Sequence, residues 1–350
     1  MTDHELLQPV RIGAWRLRTR IAMAPMTRGF ADDAAGTIGE DVVAYYRRRA
    51  EDGVGLIITE GIMPSPRGKG TFGVPGLYTK EQSNAWRKVT EAVHEAGGTI
   101  IAQLWHVGRL THPDLTGGLA PQAPSALQAE GLVHKLRKPF TMPEAMTIDE
   151  IRQVVSQYEQ AARHAMEAGF DGVEIHGAHG YLIDQFASAA TNLRTDRYGD
   201  GRAGRLQLMR EVLSAVGEVV GMDRVSIRFS ELKDDQPGFR WQEPEAEVDA
   251  YLGMFREVGL RVLHPSTNTF SRPVSGDLTL HELVHERWDG AIIGVGGLTA
   301  GSAEEAIRKG VIDVAAFGKP LLANPDFIHR LRSGQSPIPY DSAVHLKRLV

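Results

Sequence analysis

His176 and His179 stand three residues apart and Tyr181 follows two later, all directly after the short Val- and Ile-containing run Gly172-Val-Glu-Ile175. In a parallel α/β protein, polar side chains gathered just past the carboxyl end of a strand lie where active sites form. Residues three apart on a helical turn point the same way, and three chemistries compete for the histidine pair. They could be ordinary, satisfied loop residues. They could hold zinc, which needs a third ligand, with Asp184 the near candidate. Or their N–H groups could grip a substrate oxygen on which charge develops during reaction. Tyr181 adds a phenol, with an ordinary pKa of about 10, that can protonate a carbon as it becomes strongly basic. Histidine donors plus a phenolic acid suit a carbonyl or nitro group drawing electrons from an adjacent double bond. None of the three residues can supply those electrons, so a redox cofactor is required.

The elements that must position these residues follow a regular rhythm. Short apolar runs alternate with segments of helical period, the pattern of successive βα units. Strands are expected at Arg20–Pro25, Gly55–Thr59, Thr99–Leu104, Gly172–Ile175, Val225–Phe229, Leu260–His264, Ala291–Val295 and Val311–Ala315. Eight is the number that closes a barrel, so the expected fold is α/β, a single (β/α)₈ TIM barrel over residues 1–350. Thr147-Ile-Asp-Glu150 reads as a helix-opening capping box, and hydroxyls at Thr299 and Ser302 cap another helix. Glycines at Gly97, Gly169 and Gly310 end helices ahead of the next strand. Residues 105–146 break the rhythm: they are rich in Pro, Gly, Ser and Gln and far exceed an ordinary βα loop. Following the third strand, they should lie over the barrel mouth as a lid.

Composition excludes several classes. The net charge of −5, with both signs interspersed, gives no electrostatic case for nucleic acid or an anionic membrane. Cysteine is absent, which removes disulfides, thiolate metal ligands and a cysteine nucleophile. The stretch Met1-Thr-Asp-His-Glu-Leu-Leu7 carries charge where a secretory peptide needs an apolar core, and no run approaches the roughly 20 apolar residues of a membrane span. A soluble cytoplasmic protein is expected.

Two loops offer a place for the cofactor. Gly294-Val-Gly-Gly297 follows the seventh strand, and Phe317-Gly-Lys-Pro320 follows the eighth. In barrels these loops commonly build a phosphate site from backbone N–H groups, a helix start and a cation. A mononucleotide with its ring over the barrel axis would follow.

At this point the order of motifs becomes specific. Ala24-Pro-Met-Thr-Arg28, Gly55-Leu-Ile-Ile-Thr-Glu-Gly61, Gln103-Leu-Trp-His-Val-Gly-Arg109, the block from His176 to Gly199, and Ala316-Phe-Gly-Lys-Pro-Leu-Leu-Ala-Asn-Pro-Asp326 resemble the signatures of the old yellow enzyme family. These are FMN-dependent ene-reductases on a (β/α)₈ barrel. The resemblance runs from about Leu6 to Gly334 and is nearest to the branch of N-ethylmaleimide and pentaerythritol tetranitrate reductases. It implies that Pro25, Met26 and Thr27 lie along the flavin, with the Thr27 hydroxyl toward O4. It further implies that Gly61 admits the ring, Gln103 reads the pyrimidine edge and Arg228 sits near N1 and O2. Gly296, Gly297, Gly318 and Lys319 match the phosphate loops. His176 and His179 match the pair that binds the activating group, Tyr181 the proton donor, and Trp105 an aromatic of the substrate pocket. The implied reaction is ping-pong reduction of an activated alkene, with NADPH or NADH as hydride donor.

This chain also departs from the family pattern. Lysine stands at Lys319 where arginine is usual, offering a point charge in place of a two-pronged donor. Thr71 stands where the branch often has tyrosine, which implies a wider or wetter pocket. The usual aromatic, Gly-rich tail is replaced by Pro339 to Val350, so part of the wall is expected to be absent or supplied by another subunit of a homo-oligomer. His264 has no assigned role. Two other readings stay open: a flavin-dependent dehydrogenase or reductase of a dedicated biosynthetic intermediate, and a flavin-free barrel binding a phosphorylated metabolite.

Overall fold

The computed structural model describes residues 4–350; Met1 to Asp3, part of the charged amino-terminal stretch, lie outside the described residues. Eight strands form a closed barrel: β1 Ile21–Met23, β2 Leu56–Ile62, β3 Ile100–Leu104, β4 Gly172–His179, β5 Val225–Lys233, β6 Val262–Pro265, β7 Ala291–Gly294 and β8 Val314–Phe317. Each pairs in parallel with the next in sequence, and β8 pairs with β1. All eight expected strands are present. Several run further than expected, β2 to Ile62 and β8 to Phe317 among them; β4 and β5 extend furthest, because the polar residues past Ile175 and Phe229 line a wet mouth while their backbones stay in the ladder. There His176 faces Arg228 and His179 faces Lys233. In the opposite sense, β8 begins three residues later than expected.

Helices cover the barrel: α1 Glu40–Asp52, α2 Lys80–Glu95, α3 Ile148–Glu167, α4 Gln207–Val220, α5 Pro244–Glu257, α6 Leu280–His285, α7 Ala300–Arg308 and α8 Phe327–Ser333. The Thr147 hydroxyl accepts from Glu150 N–H (3.2 Å) while Glu150 accepts from Thr147 N–H (2.8 Å), closing the expected box. Thr299 caps α7 in the same way through Ser302. Gly97, Gly169 and Gly310 all take positive φ, so the chain can reverse into the next strand. Among the described residues no helix is long and apolar enough to cross a membrane.

The barrel interior is stratified. At the amino-terminal end a hairpin, Val10–Ile12 with Trp15–Leu17, inserts Ile12, Trp15 and Leu17 among Leu56, Ile58, Ile101 and Val262. Trp15 Nε1 donates to the Asp171 carbonyl (3.0 Å), and a Cβ at Gly172 would lie 2.7 Å from the Trp15 ring, so glycine leaves room for the indole. The periodicity argument gave no sign of this hairpin, whose strands are only three residues long.

At the other end, residues 105–146 fold over the mouth. Val107, Leu110 and Ala129 join Met63, Val74 and Trp105 in a separate apolar cluster, with Phe140 and Tyr181 packed against it. The chain's own last residues also return there and supply part of the wall. Arg28 donates to the carbonyls of His345 (2.7 Å) and Arg348 (2.9 Å), Arg48 to Leu349 (3.2 Å), and Arg49 to Val350. Leu346 thereby lines the cavity at the mouth.

Trp15 is 3% exposed, and removing a buried tryptophan side chain costs about 3–5 kcal/mol. Trp15→Ala should lower the urea unfolding free energy by that amount. A loss below about 1 kcal/mol would mean the hairpin does not carry the closed end.

Candidate active site

Register places the chemistry. His176 of β4, Arg228 of β5 and His264 of β6 are neighbours across the ladder, and one layer deeper Gln103, Glu174 and Ser226 are neighbours in the same way. Glu174, with no exposed surface, accepts from Gln103 Nε2 (2.8 Å), from His264 Nδ1 (2.8 Å) and from Ser226 Oγ (3.3 Å). Above this layer the aromatic groups converge. The ring centre of His176 lies 5.3 Å from that of His179 and 5.0 Å from that of Tyr181, and Trp105 lies 5.1 Å from Tyr181. The four expected pocket residues therefore form one cluster. A cavity of about 510 Å³ opens beside it, lined by Thr27, Thr71, Trp105, Tyr181, Asp234 and Leu346 among others. The Thr71 hydroxyl is buried there without a partner among the described residues.

The turn bearing Tyr181 is held in an uncommon conformation. His179 has φ +61°, rare for a residue with a side chain, and Gly180 follows at +81°. Three contacts hold the turn: His179 N–H donates to Ser230 Oγ (2.9 Å), Asp234 N–H donates to the His179 carbonyl (3.0 Å), and Gly180 N–H donates to Asp184 (2.7 Å). Asp184, the candidate third metal ligand, is instead paired with buried Lys233 at 2.5 Å.

Burial, and next to it the charge of Arg228, push both His176 and His179 well below the ordinary histidine value, so both rings are neutral. Ala178 N–H points at His176 Nδ1 (3.4 Å), which leaves the His176 proton on Nε2 as a free donor. His179 Nε2 contacts Ser266 Oγ (2.9 Å), which also accepts from Arg228 Nε (3.1 Å), so only Nδ1 of this ring remains for a ligand. Tyr181 is pushed well above its usual value by burial and by Asp234, to which its hydroxyl donates at 2.9 Å. Burial opposes ionisation of Glu174, but His264 and Arg228 outweigh it and hold the carboxyl below its ordinary range. His264 is itself lowered by burial, so this contact is a neutral imidazole N–H donating to a carboxylate.

The comparisons with known proteins agree with this geometry. Residues 5–337 match the model of the NADH:flavin oxidoreductase / NADH oxidase family. The chain belongs to this family. Among its relatives, flavin oxidoreductase hxnT of Emericella nidulans is 37% identical, over 96% of this chain and 92% of its own length. 12-Oxophytodienoate reductase 7 of Oryza sativa subsp. japonica is 36% identical, over 93% of this chain and 87% of its own. Morphinone reductase superposes with a TM-score of 0.88 at 37% identity, covering 98% of this chain and 93% of that one. The old yellow enzyme homologue of Zymomonas mobilis gives 0.88 at 34%, covering 96% and 94%. The protein is thus an FMN-dependent oxidoreductase of the old yellow enzyme type, which sets aside the flavin-free barrel.

The old yellow enzyme cofactor fits the donors at this mouth. Arg228 uses only Nε within the protein, so its two Nη groups have no partner among the described residues. Lys319 is exposed and unpaired with any carboxylate among the described residues, its Nζ lying 5.8 Å from the Tyr340 ring centre. Gly296 (φ +139°) and Gly297 (φ +67°) take backbone conformations that favour glycine, and Gly318 sits against Met26, whose Sδ lies 3.0 Å from where a Cβ would be. Gly61 has a further use: a Cβ there would stand 2.5 Å from the Trp105 indole, so the missing side chain leaves room for that ring against β2. Glu174, Ser266 and Asp234 join the site without being among the residues expected there from the sequence. Asp234 was within reach of the strand-end rule, since it follows β5 directly.

Glu60, next to Gly61, is buried and accepts from the N–H groups of Arg28 (2.9 Å) and Gly29 (3.2 Å), fixing the turn after Thr27. Burial nonetheless raises its carboxyl to about 7. A raised folded value means stability that is complete below the unfolded pKa of about 4.3 and is lost as pH rises through the folded one, about 4 kcal/mol in all. Glu60→Gln should flatten the fall in unfolding free energy across that window. A wild-type slope in the variant would show that Glu60 does not titrate there.

Proposed function

We propose that this protein reduces the C=C bond of activated alkenes, α,β-unsaturated carbonyls and nitro compounds, using NADPH or NADH. The observation that carries the reading is the ring cluster of His176, His179, Tyr181 and Trp105 beside Arg228 at the barrel mouth. Relatives named as 12-oxophytodienoate, morphinone and alkene reductases support it. In this reading Thr27, Gln103 and Arg228 hold the flavin ring, with Pro25, Met26 and Gly61 flanking it, and Gly296, Gly297, Gly318 and Lys319 hold its phosphate. Bound FMN supplies the hydride that the nicotinamide delivers.

The protein's own groups do the rest. His176 Nε2–H and His179 Nδ1–H are neutral donors, and they gain strength as negative charge gathers on the substrate oxygen. Neutrality matters here because an imidazolium beside Arg228 would add like charge in a low-dielectric site. Tyr181 holds its proton firmly until a carbanion-like carbon, more basic than phenolate, forms beside it. Trp105 and the lid residues packed on it keep water from competing as proton source. Lys319 anchors the phosphate as a single charge, with Tyr340 covering it from the returning tail.

The visible spectrum of the purified protein, followed by anaerobic titration with NADPH and with NADH, tests the reading directly. A flavin band bleached by nicotinamide and restored by 2-cyclohexenone is expected; a reduced flavin that no enone or nitroalkene reoxidises would refute it. His176→Ala should slow enone reduction a hundred- to thousand-fold, the cost of about 3 to 4 kcal/mol for losing such a donor, and spare flavin binding. Tyr181→Phe should slow flavin reoxidation by weakly activated alkenes roughly a hundred-fold while leaving reduction by nicotinamide intact. Equal slowing of both half-reactions would make Tyr181 a packing residue.

A further inference from the structure

A phenol that gives its proton to carbon must recover one before the next turnover. Tyr181 Oη makes one hydrogen bond among the described residues, to Asp234 Oδ2 at 2.9 Å. Both side chains line the mouth cavity, and Asp234 is exposed where Tyr181 is partly covered. The carboxyl therefore bridges the phenol and bulk water. Its placement is fixed on both sides. Asp234 N–H is bonded to the His179 carbonyl, and the next residue, Asp235, is buried against Arg109 at 2.5 Å and 3.1 Å. Gly180 makes room for this clamp, since a Cβ there would lie 2.7 Å from Asp235 Oδ1.

We propose that Asp234 is the positioning residue that reloads Tyr181, returning a proton from solvent to the phenolate in each turnover. The inference rests on the reading of Tyr181 as proton donor. When Tyr181 protonates the substrate carbon, its O–H bond breaks and a C–H bond forms. Asp234, as the carboxylic acid, then gives its proton to the phenolate oxygen, and the resulting carboxylate at the rim is reprotonated by hydronium or a buffer acid from the solvent. One proton passes from solvent to product, and no electrons move beyond those of the hydride.

The charges around Asp234 set the direction of its pH dependence. Protein packed around its inner side raises the Asp234 carboxyl above the ordinary aspartate value although its outer edge is exposed, and neighbouring Asp235 pushes the same way, though Arg109 offsets that charge. The Tyr181 hydrogen bond and Arg228 act against the rise. Lys233, one residue back, is turned away onto Asp184. The same cavity is also lined by Arg28, Glu130, His134 and Lys135. Once ionised, Asp234 has no proton to give, and it also makes Tyr181 a weaker acid. Proton delivery should therefore weaken as pH rises through the Asp234 titration.

The test is steady-state turnover of the holoenzyme with 2-cyclohexenone from pH 4.5 to 9, with each half-reaction also followed by stopped flow, in wild type, Asp234→Asn, Asp234→Glu and Tyr181→Phe. Wild type should lose rate in a single-proton step whose midpoint matches the Asp234 carboxyl titration followed by ¹³C NMR. Asp234→Asn, which can still accept the phenol hydrogen bond, should lose the step and run about ten-fold or more below the wild-type low-pH rate. Asp234→Glu should restore part of both, with flavin reduction by nicotinamide within two-fold throughout. A wild-type pH profile in Asp234→Asn, a faster rate in that variant, or a kinetic midpoint away from the carboxyl titration would overturn the role of Asp234. If Tyr181→Phe reoxidises at the wild-type rate, the donor reading falls and this inference with it. If Tyr181→Phe is slow and Asp234→Asn keeps the wild-type profile, only the inference falls.

Discussion

A carboxylate sealed inside an apolar cylinder has to find its donors on neighbouring strands, and Glu174 finds them on three: Gln103 on β3, Ser226 on β5 and His264 on β6. An unpaired buried charge costs several kcal/mol, so these strands have little freedom to slip relative to one another. A register slip of one residue would also turn His176 and Arg228 out of the barrel, because side chains alternate along a strand. The buried polar layer thus sets the height and direction of everything above it. Below it the interior is apolar and filled by the amino-terminal hairpin; above it the interior is polar and open.

The mouth is then built from elements distant in sequence that share few contacts. The β4 turn brings the two histidines and Tyr181, held by Ser230, Asp184 and the residues just past β5. The long connection after β3 lays Trp105 over Gly61 and covers the cavity with an apolar underside. The returning tail supplies Leu346 and rests on arginines from α1 and from the segment after β1. Because Arg28 belongs to that segment, the backbone around Thr27 is gripped from two directions, by Glu60 on β2 and by the tail carbonyls.

Much of this was legible in the residues. Eight apolar runs separated by amphipathic segments specify a closed parallel barrel, because strands covered on both faces must be apolar throughout. The capping hydroxyls and the terminal glycines marked the helix ends for equally local reasons. What stayed hidden depends on distant partners. The hairpin at Val10–Leu17 is too short to show a period and owes its place to packing inside the barrel. Glu174 carries no local signal and gains its role only from three donors on other strands. Ser266 acquires meaning only beside His179 and Arg228. Polar residues at the ends of β4 and β5 looked like strand termini, since an apolar pattern cannot report a ladder that continues into a wet mouth.

The plugged amino-terminal end has a consequence for traffic. With Ile12, Trp15 and Leu17 corking one side of the cylinder, the described residues leave the mouth beneath the lid as the approach to the site. In the proposed reaction reductant and acceptor would use that approach in turn, so a large excess of either is expected to slow throughput.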